Sequence, residues 1–382
     1  MNNDEQQLRE RLEAMTAPTS RLEAETLLQA GRRRSFRRRS WQAASGVALA
    51  TGLVVAVPIA LRTPDAPDPV IVADKPTQSA AAKVKCRSTP LPVPKGAKEA
   101  TAEGVDPTGR YIIGHDSKGQ DFLPILWTDG VPQRLPQVED SVQLTTVNAS
   151  GVVAGLATSD NEEYAFRYEN GQYTRLKTPP GQWTIYPWPT MNAAGDIVIN
   201  AEPKGNSGGK DSIALYWKAG TTEAVTLPLP TEANVYDITD DGLIVGGKYV
   251  KGEAREAYAW DLSGKGTKLD TPSGTKSVAY AVEGDWATGG LWRGDEDAKV
   301  GLWNVRTGKR TAVDGSGPGD AVNRDSWVVA AGAAYRDGKR LDLDAPKGQE
   351  VFVRGVSNTG VIVGVTRAPV GNEQYGPKTW KC

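Results

Sequence analysis

Histidine occurs once in this chain of 382 residues, at His115, and cysteine twice, at Cys86 and Cys382. A zinc site of clustered His and Cys, or a Ser-His-Asp arrangement, therefore has one residue at most to draw on. Phe (4) and Met (3) are scarce while Gly (42) and Pro (25) are plentiful, which suits many short strands joined by tight turns, not a helical core. Neither sign of charge is in excess, with 45 Lys and Arg against 46 Asp and Glu. There is no global basic field for nucleic acid, although one strong local cluster is present, and no nucleic-acid partner is expected.

What is present begins with one charge-free run. Residues Trp41 to Leu61 hold 21 residues without a charge, enough as a helix to span the roughly 30 Å of a bilayer core. Six arginines lie between Arg32 and Arg39 just before it, and acidic, Pro-rich sequence follows Arg62. Positive charge retained in the cytoplasm places the N-terminus inside and the C-terminal part outside. The predicted organisation is a cytoplasmic, Arg-rich helical tail (1–40), a single-pass transmembrane helix (41–61), a Pro/Ala-rich linker (62–85) and an extracytoplasmic domain (86–382). A cleaved signal is the competing reading, since Arg33-Arg34-Ser35-Phe36 fits the twin-arginine pattern. The long leader and the lack of a small-x-small cleavage site after Leu61 favour an uncleaved anchor in the cell membrane. Trp41–Leu61 is then the contact with membrane lipid. Ala44, Ala48, Gly52 and Ala56 recur every four residues, a spacing that lets two such helices associate closely.

In the tail, Asp4–Met15 and Ser20–Ala30 have helical patterning, with Ser20 and Glu23 as a capping box. Membrane-bound anti-sigma factors have a similar layout. The tail holds no His or Cys, which excludes their zinc-binding type. Transmembrane signalling or scaffolding through this tail is one functional alternative.

From about residue 87 one pattern recurs. VNASGVVAG (147–155), MNAAGDIVI (191–199), ITDDGLIVG (238–246) and VSNTGVIVG (356–364) are its clearest copies. VDPTGRYIIG (105–114) is fainter, and VEGDWATGG (282–290) and VNRDSWVVA (322–330) are degenerate. The glycine slot then falls at Gly109, Gly151, Gly195, Gly242, Trp286, Ser326 and Gly360, at spacings of 42, 44, 47, 44, 40 and 34. Each unit offers four strands: one ending at the N-x-x-G turn, an apolar run, an aromatic strand and a leucine strand. The aromatic column reads Trp127, Tyr168, Trp217, Trp260 and Trp380, with Trp303 and Tyr335 offset by one, and is expected to pack between units. Periods near 40 with this patterning predict an all-β, seven-bladed β-propeller.

The first unit is preceded only by Thr89–Pro94, which matches the fourth strand at Val225–Pro230, and the last unit stops after its third strand. The N-terminal segment should therefore supply the last unit's outer strand. Laid on the third unit, Cys382 falls at Ala219 and Cys86 at Thr222, on either side of a hairpin turn. A Cys86–Cys382 disulfide would then latch a loop of nearly 300 residues in an oxidising compartment.

The unit N-x-x-G-x-I-V-G, followed by A-F/Y-x-W, a Gly turn and a leucine strand, resembles the extracellular HAF repeat family of bacteria. The resemblance covers about residues 105–382 and lacks that pattern's histidine before Ala-Phe, where Tyr164, Ile213 or Ala257 stand nearby. It implies an exported β-propeller-like module and brings no catalytic residues or cofactor.

Chemistry is poorly marked. Asp237, Asp240 and Asp241 cluster near a turn, and Asp295-Glu296-Asp297 forms an acidic loop; both are weak candidates for a cation. No metal, cofactor or catalytic residue is assigned. Six residues before each glycine slot stand Glu103, Thr145, Pro189, Tyr236, Tyr280, Asp320 and Arg354. A structural column should be uniform and apolar, and this one is varied and partly charged, as a ligand-binding lining would be. The crossing into the third unit adds Trp183, Tyr186 and Trp188, aromatics suited to peptide or glycan recognition. The chain thus reads as a binding module for a protein or cell-envelope ligand. The alternative is an envelope hydrolase or lyase with its active site at the channel mouth.

Overall fold

The computed structural model describes residues 85–382 apart from 120, 160–161, 207–208, 210, 251, 295–296 and 370–373. The tail, the Trp41–Leu61 span and most of the linker lie outside the described residues, as do Asp295 and Glu296 of the acidic loop. Among the described residues no helix is long and apolar enough to cross a membrane.

Each repeat folds as one antiparallel meander. The first unit runs Thr101–Val105, Tyr111–Lys118, Asp121–Thr128 and Val131–Arg134, and the next three units repeat this order in sheets of their own. The turn between inner and second strands is where N-x-x-G does its work. Gly109, Gly151, Gly195, Gly242 and Gly360 sit at φ between 77° and 93°, a left-handed conformation that costs glycine little. Ser326 takes the same slot at φ 60°.

The fifth unit departs from the pattern. Val282 pairs with Ala287 and Glu283 with Trp286, so the turn is only Gly284-Asp285 and Trp286 begins the second strand. The left-handed residue is Gly284, not Trp286, because this turn is one residue shorter than the others. The fifth sheet also has three strands instead of the expected four. Residues 309–317 run along its outer edge through the isolated bridges Trp303↔Arg310 and Lys299↔Ser316.

Register corrects the aromatic column as well. Trp127, Tyr168, Trp217, Trp260, Trp303, Tyr335 and Trp380 each pair with one equivalent second-strand residue: Ile112, Val153, Ile197, Ile244, Ala287, Val328 and Ile362. Trp303 and Tyr335 carry no offset. All seven are buried, and each unit packs on the next through its own hydrophobic cluster. Burying one such large side chain is worth about 2–3 kcal/mol.

Four of the joints are also hydrogen-bonded through this column. The Trp217 indole donates to the carbonyl of Lys177 in the preceding unit, as Trp303 does to Asp270, Trp380 to Asp344 and Trp127 to Pro92. The accepting residue follows the last strand of its unit directly after a leucine, namely Leu176, Leu269, Leu343 and Leu91.

The ring closes as expected. Lys85–Pro90 is the outer strand of the last unit, pairing Arg87–Pro90 antiparallel with Lys381–Lys378. It starts one residue before the predicted domain boundary. Lys85 and Cys86 also pair in parallel with Asp342 and Leu343, which merges the last two units into one eight-stranded sheet. The Cys86 carbonyl accepts the Asp344 amide just as the Thr222 carbonyl accepts that of Lys177, so Cys86 and Thr222 are equivalent. Cys86 and Cys382 form a disulfide across 296 residues with Cα atoms 4.0 Å apart.

Candidate functional site

The innermost strands, beginning with Thr101–Val105 and ending with Glu350–Val356, touch one another in sequence, and the last touches the first. They therefore surround a common axis. In every one of them the pairing register with the second strand slips at one place. The slips fall between Ala102 and Gly104, Leu144 and Thr146, Tyr186 and Thr190, Val235 and Asp237, Ala279 and Ala281, Gly319 and Ala321, and Val353 and Gly355. The residues left out of register are Glu103, Thr145, Pro189, Tyr236, Tyr280, Asp320 and Arg354, with Pro187 and Trp188 beside Pro189. The varied column of the sequence is thus a ring of β-bulges, and a bulge re-aims the side chain it releases.

The bulge has a sequence cause. Facing it on the second strand stands the last glycine of the repeat: Gly114, Gly155, Gly246, Gly289 or Gly364. A Cβ on any of these would lie 1.9–2.0 Å from an inner-strand carbonyl oxygen, that of Thr101, Gln143, Asn234, Val278 or Phe352. Each of these carbonyls comes two residues before the bulge. In these five units glycine admits a close backbone approach beside the bulge, while the sixth unit bulges at Asp320 opposite Ala330. The third unit has Ile199 in that place, and its irregularity widens to span residues 187–189.

Side chains of neighbouring bulges meet across the joints. Arg354 Nε lies 3.4 Å from a Glu103 carboxylate oxygen, joining the last unit to the first. Tyr236 and Tyr280 pack edge-to-face at 4.9 Å between centroids, and the Thr145 hydroxyl donates to the Pro189 carbonyl at 2.7 Å. Asp320 lies between Arg354 and Tyr280 and interacts electrostatically with both. Pro189 is buried and the other six are half-buried, as residues lining a narrow axis would be. One side of the ring is charged and the other is aromatic.

Burial pushes the Asp320 carboxyl up to about 7, while Arg354 and a backbone hydrogen bond from Ala331 oppose that rise. Burial likewise raises the Tyr236 phenol to about 12 and raises Tyr280 and Tyr249, so all three are neutral at physiological pH. Tyr249 and Trp292 belong to the site and were not signalled by the repeat. The Tyr249 hydroxyl is 2.7 Å from that of Tyr236, and Trp292 packs edge-on to Tyr280 at 6.2 Å. Both stand late on second strands at one equivalent position of the fourth and fifth units, beyond the end of the recurring motif, and the other units carry no aromatic there.

Other expected residues fall elsewhere. Trp183, Tyr186 and Trp188 lie on the strand Trp183–Met191 instead of an exposed loop, and all three are half-buried. Trp183 and Trp188 pack against the cluster between the second and third units. The Tyr186 hydroxyl bonds to Ser212 and donates to Asn234 at 2.9 Å. These aromatics form the side of a blade-like unit, with Trp188 alone adjoining the ring. His115 lies within the second strand of the first unit. It is buried, packs on Phe122 at 4.1 Å, and is held by that burial below the usual histidine range.

The acidic triplet is dispersed. Asp237 accepts the Val282 and Ile238 amides, Asp240 accepts the Ala193 amide, and Asp241 takes two bonds from Arg306. Among the described residues no group of three or more His, Cys, Asp or Glu could hold a metal ion.

No protein-family model and no curated protein matches the chain. Solved structures do. Oligogalacturonate lyase from Vibrio parahaemolyticus is similar at 11% identity and TM-score 0.55, over 77% of this chain and 93% of that one. An oligogalacturonate lyase in complex with manganese gives 9% and 0.55, over 78% and 98%. The β-propeller domain of the Trilobed protease from Pyrococcus furiosus gives 11% and 0.50, over 74% and 96%. The fold is a β-propeller. At these identities the likeness concerns fold alone, and the function must be argued from the ring.

Proposed function

We propose that this chain is a membrane-tethered, extracytoplasmic, seven-bladed β-propeller that binds a protein or cell-envelope ligand at its central channel. One observation carries the reading. The seven chemically varied residues that share a repeat position are all β-bulges around one axis, whereas the residues between blades are uniform and apolar. Variation confined to the lining is what a recognition surface on a repeated scaffold requires. The Cys86–Cys382 disulfide supports an oxidising compartment, and the charge-free Trp41–Leu61 run supports the tether. In this reading Ala44, Ala48, Gly52 and Ala56 offer the anchor a face for self-association.

The test is capture from envelope extract by the full chain in detergent. Glu103→Ala with Arg354→Ala, and separately Tyr280→Ala, should leave the far-UV spectrum unchanged and abolish capture of the wild-type partner. Undiminished capture by both variants would place the binding surface elsewhere.

A second reading, an envelope glycan or peptide hydrolase or lyase, is favoured by the Asp320 carboxyl, whose value of about 7 suits general acid–base work. Turnover by the wild type that is lost in Asp320→Asn, with ligand binding kept, would favour it over binding alone.

A further inference from the structure

We propose that the channel takes a ligand carrying an alkylammonium group, with the charge seated at Asp320 and the adjoining chain against Tyr280, Tyr236 and Trp292. This rests on the channel reading above and names the chemistry of its ligand. The argument is one of charge and surface around the ring. Two carboxylates, Glu103 and Asp320, flank a single guanidinium, Arg354. Arg354 is in ion-pair contact with Glu103, at 3.4 Å. Asp320 thus shares a cation already engaged, and with both carboxylates ionised this arc of the ring is net negative. The groups that face Asp320 are Arg354 from the last unit, Tyr280 from the fifth and the Ala331 amide from its own. None of them supplies a second positive charge.

Next to Asp320 the lining turns aromatic. Tyr280, which Asp320 reaches electrostatically, packs edge-to-face with Tyr236 at 4.9 Å and with Trp292 at 6.2 Å, so the carboxylate adjoins an aromatic cluster of the fourth and fifth units. Tyrosine and tryptophan rings attract a cation electrostatically and cover an alkyl stem. An anionic ligand would meet two carboxylates there. A neutral one would leave Asp320 without the counter-charge that its burial calls for. A flexible ammonium on an apolar stem satisfies both halves of the arc, and its small head fits a half-buried site.

Capped Ala-Lys-Ala and its norleucine twin are the probes, titrated into the full chain in detergent micelles and followed by tyrosine and tryptophan fluorescence. Above the Asp320 value of about 7 the lysine peptide should bind roughly tenfold more tightly than its twin, and below it the preference should shrink. Asp320→Asn should remove the preference at either pH and keep the norleucine affinity. If that variant does not fold, the pH comparison on the wild type decides. Equal affinity for the two peptides, a preference that ignores pH or Asp320→Asn, or no binding of either peptide would overturn the ammonium assignment. The channel reading is judged separately, by envelope capture with the Glu103, Arg354 and Tyr280 variants.

Discussion

The asparagine that opens the N-x-x-G turn makes two sets of bonds at once. In Asn148 the side-chain oxygen accepts the Ser150 and Val152 amides, while the side-chain nitrogen donates to the Ala193 carbonyl of the next blade. Asn192 repeats this with Asp196 and Thr239, and Asn323 with Trp327 and Ser357. One residue type thus shapes a turn and fastens a joint. Asn192→Ala should cost about 1–3 kcal/mol in urea unfolding, since it leaves buried backbone groups without partners. Asn192→Asp keeps the acceptor but turns a buried carboxylate on the Thr239 carbonyl and the Asp196 carboxylate, so it should cost at least as much as alanine. Equal stability of wild type and alanine variant would refute the role. Two carboxyls, one in the ring and one beside it, add a pH term. Asp320 and Asp237 both stand near 7 in the fold against an ordinary 3.8. Between those values the native state holds protons that the unfolded chain has lost. Their contribution is fully present below the ordinary carboxylate range and is lost as pH rises through about 7. Thermal melts across that window should show a slope that Asp320→Asn reduces, and an unchanged slope would count against a raised Asp320.

At the scale of the strand, the bulge and its facing glycine act as one device. Gly155→Ala sets a Cβ 2.0 Å from the Gln143 carbonyl oxygen and 2.8 Å from the Phe166 ring, so the inner strand must shift. The expected cost is about 3 kcal/mol or more in a denaturant melt, larger than for alanine at the open, exposed Gly171. The position of the bulged residues was legible before any coordinates, because repetition aligns them even where their chemistry differs; that they are bulges facing glycine was not, since nothing in the residue column itself marks a register shift. What stayed hidden has definite causes. The fifth turn lost a residue, so counting back to a glycine slot landed on Trp286 instead of Gly284. The same unit replaced its fourth strand with bridging backbone that carries no strand pattern. Pro187 and Pro189 in Trp183–Met191 gave that strand the look of a loop. Tyr249 and Trp292 share a repeat position that lies past the recurring motif and is aromatic only in the fourth and fifth units.

At the scale of the whole molecule the question is what keeps a ring of nearly independent sheets closed. Every joint but one connects blades that are consecutive in the chain; the last joins residues from opposite ends of the sequence. There the strand Arg87–Pro90 pairs with Lys378–Lys381, Trp127 donates to Pro92, and Leu91 fills the cluster between the last blade and the first. The disulfide adds a restriction on the unfolded chain. For a loop of 296 residues the chain-entropy model gives about 6 kcal/mol. Reduction, or Cys382→Ser, should therefore lower the melting temperature markedly. Below that lowered temperature it should leave the channel intact, because the strand pair and the Trp380–Asp344 bond do not depend on sulfur. Melts with and without reductant test the first half, and envelope capture at low temperature tests the second. A melt that reductant leaves unmoved would show that strand pairing alone holds the ring. Loss of capture while the ring is still folded would instead tie the latch to the binding lining, since Arg354 and Glu103 meet across the joint that this outer strand helps to close.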